Sequence, residues 1–377
     1  MARSPLRELE AMGQSLWLDY IRRDLFGSEP FRRLLEDDGL KGMTSNPTIF
    51  EKAIAGSAIY DSQLDELARQ GNSVDAIYEA ISQTDIRLAA DALRPIYDRS
   101  GGRFGYVSYE VSPELSRDTE GTLLEARRFF AAIDRPNLMI KIPGTPEGIP
   151  AIEQLIADGR NINVTLMFSM VHYDAVAEAY LRGLERAAKL GKPLDRIASV
   201  ASVFVSRIDT LLDKTIDRRL AEGADPKFLG LKGRVGVANS KLIYQRFKVL
   251  FHGARFKALA AKGAKVQQPL WASTGTKNPA YSDIMYVQEL IGPQTVNTMP
   301  PATMDAYRDH GAPRLTLEEG LEDARAAVQA LGELGIELGR IGDQLQREGE
   351  QLFAKSFADL RAVIQKRRDA IAAKAAS

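Results

Sequence analysis

Short runs of apolar and β-branched residues alternate along the chain with longer segments whose apolar residues recur at helical spacing. The short runs predict eight strands, at residues 15–20, 39–44, 103–110, 137–143, 162–167, 197–203, 267–273 and 295–299. The helical spacing predicts helices at 147–156, 170–190, 207–222, 240–262 and 279–291. Strands that alternate with helices favour a parallel sheet, and a closed (β/α)8 TIM barrel is the simplest such fold for one chain of this length.

An open, doubly wound sheet is the main alternative architecture. That fold would place a glycine-rich phosphate turn after its first strand, and neither GxGxxG nor GxxxxGK[ST] occurs in the sequence. No repeat or low-complexity linker interrupts the chain. We therefore predict one barrel domain over residues 1–314, with a helical insertion around 50–100, and a helical extension over 315–377 that packs on the barrel.

The extension has a start signal and an apolar stripe. Thr316 and Glu319 have the spacing of a capping box, which predicts a helix that begins at Thr316. Apolar residues follow at helical spacing, among them Leu345, Leu352, Phe353, Phe357 and Leu360. We expect this stripe to pack on the barrel. The alternatives are that it covers the mouth of the active site or makes a subunit contact.

Composition narrows the class of function. Hydrophobic residues make up 45% and charged residues 27% of the 377 residues, as in globular proteins, and the zero net charge lacks the basic surplus of nucleic-acid binders. The absence of cysteine excludes disulfides and thiolate chemistry, and the three separated histidines disfavour a metal site. No transmembrane run and no signal-peptide core is visible, so we expect a cytoplasmic protein that does not bind membranes.

The segment NLMIKIPGTPEGIPAIEQL contains a lysine, Lys141, inside an apolar strand. If Lys141 faces the interior, its ammonium must be paired or lose its proton, because burying an unpaired charge costs several kcal/mol. A desolvated amine with a lowered pKa is a nucleophile that forms Schiff bases with ketones. In the alternative interpretation Lys141 points outward and reaches solvent.

Further polar residues lie at the ends of other predicted strands, where the reactive groups of such barrels meet. They are Asp19, Thr44, Asn46, Glu110, Asn163, Thr165, Ser202, Arg207, Ser273 and Lys277, with the aromatic Phe204 among them. Singly, each could be an ion-pair partner, a turn former or a core polar group. Together with the amine they suit carbonyl chemistry without a cofactor, in which two carboxylates divide the proton transfers and two cations hold a phosphate.

Six segments resemble transaldolases, in the longer bacterial form of that family, from about Leu16 to Thr298. These segments are TSNPTIFEKAI, VSYEVSPELS, IKIPGTPEGIPAIEQL, GRNINVTLMFS, SVFVSRID and QQPLWASTGTKNP. The resemblance implies a class I Schiff-base enzyme with a (β/α)8 barrel and no metal or coenzyme. It implies phosphorylated sugars as substrates, and a monomer or homodimer. The implied reaction moves a dihydroxyacetone unit from sedoheptulose 7-phosphate to glyceraldehyde 3-phosphate, giving erythrose 4-phosphate and fructose 6-phosphate in the non-oxidative pentose phosphate pathway.

The resemblance also implies roles for individual residues. Lys141 is the Schiff-base lysine, and Asp19 handles the proton of the C4 hydroxyl. Glu110, with a water held near Thr165, acts as acid and base when the imine forms and hydrolyses. The residues implied to bind the sugar and its phosphate are Thr44, Asn46, Asn163, Ser202, Phe204, Arg207 and Ser273.

The sequence departs from the shorter family members in two places. After the seventh strand those proteins have a second phosphate-binding arginine, and here we expect Lys277 to replace it. The extension after about residue 315 lies outside the resemblance. Two alternatives are left open: a fructose-6-phosphate aldolase that releases free dihydroxyacetone, and a phosphosugar-binding barrel without catalytic activity.

Overall fold

Eight parallel strands form a closed barrel in chain order in the computed structural model, which describes residues 4–375 and their side chains as far as 371. The strands are β1 (Gln14–Asp19), β2 (Gly42–Thr44), β3 (Tyr106–Glu110), β4 (Leu138–Pro143), β5 (Ile162–Met167), β6 (Ser199–Phe204), β7 (Gln268–Ala272) and β8 (Thr295–Met299). Strand β1 pairs with β2 on one side and with β8 on the other, which closes the ring. The predicted (β/α)8 barrel is confirmed. The first three and last two residues, which the predicted ranges 1–314 and 315–377 include, lie outside the described residues.

Two strands begin three residues later than the apolar runs predict. Strand β2 was expected from residue 39 and β3 from residue 103. Gly39 has a φ of 79° and Gly105 a φ of 85°, both in the left-handed region, which interrupts the extended backbone of a strand. Each strand therefore starts only after its glycine.

Helices surround the strands and extend beyond them. They are α1 (Pro5–Ala11), α2 (Glu29–Glu36), α3 (Pro47–Ala55), α4 (Asp61–Arg69), α5 (Val74–Arg99), α6 (Thr119–Ile133), α7 (Gly148–Ala157), α8 (Met170–Lys189), α9 (Ser206–Ala221), α10 (Val235–Phe251), α11 (Ala254–Ala260), α12 (Met285–Gln288), α13 (Pro301–His310), α14 (Leu321–Glu333) and α15 (Leu338–Ala375). Helices α3 to α5 occupy the region around residues 50–100. In the described part of the chain, no helix is both long enough and apolar enough to cross a membrane.

Two predicted helices are wrong in part. The helix predicted over 240–262 is divided, because Gly253 is extended and starts α11 as a separate helix after α10. Of the helix predicted over 279–291, only the four residues of α12 are helical. Upstream of α12, Asn278 Oδ1 accepts a hydrogen bond from the Ala280 amide at 3.0 Å, and the Thr276 hydroxyl donates to the Ser282 carbonyl at 2.8 Å. These local side-chain bonds give the backbone an alternative to the helix.

The predicted capping box at Thr316 is also wrong. The Thr316 hydroxyl donates to the Gln288 carbonyl at 2.7 Å and accepts from the Ile291 amide at 3.1 Å. These bonds tie the buried threonine to the segment before β8, so it is not free to cap a helix. Helix α14 starts instead at Leu321, directly after Gly320.

Helix α15 folds back over the carboxyl ends of the strands. In the predicted apolar stripe, Leu345, Phe353, Phe357 and Leu360 are buried, whereas Leu352 is 43% exposed. The stripe contacts helices of the insertion, where the rings of Tyr78 and Phe357 meet edge to face at 5.2 Å. The stripe therefore packs on helices of the insertion, and the assignment of 315–377 as an extension that packs on the barrel stays a prediction.

Inward-facing residues fill the lower half of the barrel. They are Trp17, Tyr106, Met139, Val200, Leu270 and Val296, all at most 2% exposed. Side chains alternate between the two faces of a strand, so residues two positions further along also point inward. On β1 and β4 those residues are Asp19 and Lys141. The apolar layer thus forms a floor beneath the polar groups at the strand ends.

Candidate active site

A cavity of about 370 Å³, the strand-end cavity, opens at the carboxyl ends of the strands. Ten of the twelve predicted site residues line it: Asp19, Thr44, Asn46, Lys141, Thr165, Ser202, Phe204, Arg207, Ser273 and Lys277. The other two, Glu110 and Asn163, lie directly behind this wall and contact it. A larger cavity of about 420 Å³ between α10 and α14 contains none of these residues. The strand-end cavity is therefore the cavity that contains the predicted reactive side chains.

Lys141 lies deep in the strand-end cavity. In the sheet it is the direct neighbour of Glu110 on β3 and of Asn163 on β5. Its Nζ atom lies 3.1 Å from Glu110 Oε2 and donates to the Ser45 carbonyl at 3.1 Å. Only 5% of the residue is exposed. Lys141 therefore faces the interior, and its charge is paired rather than directed to solvent.

Glu110 is the acidic partner of this amine. The two groups form an ion pair without the angular alignment of a hydrogen bond, since no hydrogen-bond partner satisfies Oε2 among the described residues. Burial raises the pKa of the Glu110 carboxyl above its ordinary value, while the charge of Lys141 acts in the opposite direction. A carboxyl in this setting holds a proton more readily than one in water, which suits an acid–base group beside an amine.

Asp19, at the end of β1, is the second carboxyl of the cavity. Its Oδ1 atom accepts a hydrogen bond of 2.6 Å from the Thr44 hydroxyl, which lies 2.8 Å from the hydroxyl of Thr298 on β8. Because Thr44 donates to Asp19, Thr298 is the donor in the second bond. Burial raises the pKa of Asp19, against the opposing effects of Lys141, Thr44, Arg207 and Lys277. The carboxylate is thus oriented by two hydroxyls in series.

Thr165 and Asn163 continue the polar wall on β5. The Thr165 hydroxyl is buried and has no hydrogen-bond partner in the described part of the protein. Asn163 has both ends of its amide satisfied, since it donates to the Ser108 hydroxyl at 2.9 Å and accepts from the Ser202 hydroxyl at 2.7 Å. Asn163 is therefore fixed, whereas Thr165 presents a free hydroxyl.

The strand β5 is irregular next to Thr165. Its register with β6 shifts between Val164 and Met167, and Leu166 adopts a φ of 58°. A bulge of this kind changes the direction in which the neighbouring side chains point, and such bulges are common beside active sites. The irregularity therefore sets the orientation of the Thr165 hydroxyl.

Arg207 is the second residue of α9, and its side chain lines the strand-end cavity. Its guanidinium lies 5.2 Å from the ring centre of Phe204 and 5.9 Å from that of Phe353. Burial lowers the pKa of Arg207 while nearby carboxylates raise it, yet no carboxylate of the described residues comes within 4.0 Å. A guanidinium beside two rings, with no ion-pair partner among the described residues, is suited to bind an anion.

Three further polar residues surround the mouth of the cavity. Ser273, with a φ of 55°, follows β7 and lies 2.9 Å from the Ser206 hydroxyl. Lys277 is exposed at the rim. Asn46 starts α3, and its side chain accepts from the Ile49 amide at 3.0 Å. That bond fixes Asn46 at a helix start, as its position before a proline suggests.

Some residues of the cavity were not identified from the sequence. Thr298 and Leu352 line it, as does Phe353, whose ring centre lies 5.8 Å from Lys141 Nζ. The end of β8 could have suggested Thr298, since it has the same strand-end position as the others. No local pattern could have suggested that Phe353 reaches Lys141, because that contact depends on how α15 folds back.

Metal and cofactor sites can be tested only by the arrangement of side chains. Among the described residues, no group of three or more histidine, aspartate or glutamate side chains is arranged to hold a metal ion. The expectations that the protein needs no metal and no coenzyme stay predictions.

Comparison with known proteins agrees with this geometry. The family described as transaldolase/fructose-6-phosphate aldolase matches residues 16–364. A transaldolase of Trichodesmium erythraeum is 48% identical over 342 residues, which cover 90% of each chain. A transaldolase of Thiobacillus denitrificans is 45% identical over 358 residues, which cover 95% of this chain and 99% of that one. The match reaches residue 364, so the expectation that the extension lies outside the family pattern is wrong. The chain belongs to the transaldolase/fructose-6-phosphate aldolase family and is an enzyme of the transaldolase type.

Proposed function

We propose that this enzyme transfers a dihydroxyacetone unit between phosphorylated sugars through a Schiff base on Lys141. The observation that supports this most strongly is the buried amine of Lys141, held 3.1 Å from Glu110 in a cavity that Asp19 also lines. The donor is sedoheptulose 7-phosphate and the acceptor glyceraldehyde 3-phosphate, which give erythrose 4-phosphate and fructose 6-phosphate. The reaction belongs to the non-oxidative pentose phosphate pathway.

The first step joins the ketose to Lys141. Lys141 gives its ammonium proton to Glu110, 3.1 Å away, and the neutral amine then attacks the C2 carbonyl carbon. A proton moves from the new C–N nitrogen to the C2 oxygen, which gives the carbinolamine. Glu110 then protonates the C2 hydroxyl, which leaves as water, and the nitrogen lone pair forms the iminium bond. The raised pKa of Glu110 lets it carry this proton. In the reverse step, Glu110 takes a proton from water as that water attacks C2, with Thr165 as its second contact.

The second step breaks the C3–C4 bond. Asp19 accepts the proton of the C4 hydroxyl, the electrons of that O–H bond form the new carbonyl, and the aldehyde leaves. The electron pair of the broken C–C bond moves to the iminium nitrogen and gives an enamine on Lys141. Because Thr44 donates to the Asp19 carboxylate at 2.6 Å, this base is held in one orientation.

Recognition of the sugar phosphate is divided between two ends of the cavity. We assign the sugar hydroxyls to Thr44, Asn46, Asn163 and Ser202, which lie around Lys141. We assign the phosphate to Arg207, Ser273 and Lys277 at the rim. A guanidinium offers a fork of donors and an ammonium a point charge, so the two cations complement each other.

Transfer is completed when the enamine carbon attacks the aldehyde of the acceptor and the new imine is hydrolysed. An aldolase would instead protonate the enamine and release free dihydroxyacetone. The matched relatives named above are transaldolases, which favours transfer. A cytoplasmic location and a monomeric or homodimeric state, expected from the sequence, stay predictions.

The experiment is an acceptor-dependence assay on the purified protein. Fructose 6-phosphate is supplied with and without erythrose 4-phosphate, and glyceraldehyde 3-phosphate, sedoheptulose 7-phosphate and free dihydroxyacetone are measured. We expect sustained turnover only with the acceptor, and none in Lys141→Met. Turnover without acceptor that releases dihydroxyacetone would assign aldolase activity instead. No product under either condition would leave a sugar-phosphate-binding barrel without catalysis.

A further inference from the structure

A single side-chain amide of α15 joins the ends of two barrel strands. Gln346 Nε2 donates to the carbonyl of Gly144, directly after β4, at 3.0 Å, and to the carbonyl of Leu166, on β5, at 2.9 Å. Gln346 is 6% exposed. Both hydrogens of its amide are used, so the side chain has one defined orientation.

The two carbonyls belong to the segments that carry the imine chemistry. Gly144 follows Lys141 by three residues, and Leu166 directly follows Thr165. The Gly144 amide also donates to the Thr165 carbonyl at 2.8 Å. A continuous set of bonds therefore runs from Gln346 through both strand ends to the backbone of Thr165.

Leu166 is the strained point of this arrangement. Its φ of 58° places a non-glycine residue in the left-handed region, which is strained and persists only where the surroundings impose it. Helix α15 packs closely there, since a Cβ atom added at Gly349 would lie 2.7 Å from Leu166 Cδ2. The bond from Gln346, one turn earlier on the same helix, holds the Leu166 carbonyl as well.

We propose that Gln346 is a positioning residue for the hydration and dehydration of the imine. The inference rests on the proposed function. By fixing the bulge at Leu166, Gln346 directs the unpartnered Thr165 hydroxyl toward the water that leaves or attacks C2. Without the two bonds, the buried carbonyls of Gly144 and Leu166 lose their donor, which favours a rearrangement of the bulge.

The effect of Gln346 is specific to one step. Asp19, the base for C–C cleavage, lies on β1 and is oriented by Thr44 and Thr298. None of these three residues hydrogen-bonds to Gln346. Loss of the Gln346 amide therefore slows imine formation and hydrolysis, and leaves cleavage of an imine that has already formed nearly unchanged.

The test compares Gln346→Met with Gln365→Met by rapid mixing with fructose 6-phosphate. Methionine keeps a similar volume without donors, and Gln365 lies on the same helix, where its amide bonds, within residues 4–371, only to Asp369 at 2.6 Å. Borohydride quenching gives the rate of imine formation, and the glyceraldehyde 3-phosphate released per trapped imine gives the rate of cleavage of an imine that has already formed. We expect imine formation to slow roughly tenfold or more in Gln346→Met, as for other misplaced catalytic groups. Gln365→Met should match the wild type.

A second variant, Gln346→Asn, tests the same role in case Gln346→Met does not fold. Gln346→Asn keeps an amide that is too short to reach both carbonyls, and the same selective slowing is expected. Unchanged imine formation in a folded variant, or an equal loss in both steps, would overturn the positioning role. If the wild-type protein itself gave no trapped imine, the proposed function would fall and this inference with it.

Discussion

The ring centre of Phe353 lies 5.9 Å from the guanidinium carbon of Arg207, although the two residues are on different helices, α15 and α9. The same guanidinium lies 5.2 Å from the ring centre of Phe204. The C-terminal helix thus supplies one of the two rings that hold the proposed phosphate-binding arginine. The extension is therefore part of the wall of the strand-end cavity.

Replacing Phe353 should weaken the binding of phosphorylated substrates. Phe353→Leu removes one aromatic face, and a partly desolvated cation–π contact contributes about 0.5–2 kcal/mol, so we expect KM to rise about 2- to 30-fold. The matched control is Phe357→Leu, four residues along the same helix, whose ring packs on Tyr78 instead. Steady-state kinetics with fructose 6-phosphate measures both. Equal effects of the two variants would mean that Phe353 acts only through the packing of α15.

Replacing Arg207 should weaken the binding of phosphorylated sugars and leave the turnover of unphosphorylated ones. Removing the guanidinium in Arg207→Ala is expected to raise KM for phosphorylated sugars by at least about tenfold, because a charge-assisted contact to phosphate contributes on the order of 1.5–3 kcal/mol. Slow turnover of unphosphorylated fructose or dihydroxyacetone should persist, since Lys141 and Glu110 are unchanged. An unchanged KM for fructose 6-phosphate would remove Arg207 from the phosphate site.

Asp19 should affect bond cleavage and leave imine formation in place. In Asp19→Asn the amide has the shape of the carboxylate but accepts no proton, so we expect glyceraldehyde 3-phosphate release to slow by about 100-fold or more. Borohydride should still trap the hexose phosphate on Lys141. Cleavage at the wild-type rate would contradict the assignment of Asp19 as the base.

The fall of kcat at low pH should reflect the environment of Asp19. Burial raises the pKa of Asp19, so kcat should fall, as the pH is lowered, at a higher pH than an ordinary carboxylate would give. The Thr44 hydroxyl stabilises the charged form, and Thr44→Val should therefore move this fall to still higher pH. Thr298→Val, which removes only the donor to Thr44, should shift it less. A fall that moves to lower pH in Thr44→Val would contradict this assignment.

Asp209 lies outside the strand-end cavity, and its carboxyl should make the free energy of unfolding depend on pH. Its carboxyl accepts from the Gly236 amide at 2.8 Å and from the Tyr286 hydroxyl at 3.0 Å, and burial raises its pKa to about 7. The folded protein therefore holds this proton more tightly than the unfolded chain, for which 3.8 is the ordinary pKa. The stabilisation is complete below about pH 4 and is lost as the pH rises through 7.

The measurement is denaturant unfolding of the wild type and Asp209→Asn between pH 4 and pH 8. The wild-type free energy of unfolding should fall with rising pH relative to the variant, by on the order of 2–4 kcal/mol over this range. Parallel curves for the two proteins would show that Asp209 does not titrate in this way.

The fold could be predicted from the sequence because each strand is a short apolar run and each crossover has helical spacing. Lys141 was recognisable for the same reason, since a charged residue stands out in an apolar strand. The helix predicted over 279–291 was wrong because the side chains of Asn278 and Thr276 bond to the local backbone. Thr316 did not cap a helix because the partners of its hydroxyl, Gln288 and Ile291, are distant in the sequence.

One alternative for the apolar stripe of α15 was that it covers the mouth of the active site, but the residues of α15 that reach the site could not be predicted, for a different reason. Phe353 and Gln346 have ordinary positions in a long amphipathic helix, and nothing near them in the sequence marks them. Their contacts, to Lys141, Arg207, Gly144 and Leu166, depend on where the helix lies after it folds back over the barrel. Only the three-dimensional structure brings them to the site.

The most direct test of a Schiff base on Lys141 is borohydride reduction of the protein with fructose 6-phosphate, followed by peptide mass mapping. We expect a stable adduct, either the hexose phosphate or the three-carbon unit, on the peptide that contains Lys141, and none in Lys141→Met. Lys241, which is buried beside Glu289 outside the strand-end cavity, is the internal control and should stay unmodified. A folded wild-type protein with no adduct on any lysine, or with an adduct elsewhere than Lys141, would contradict the proposed chemistry.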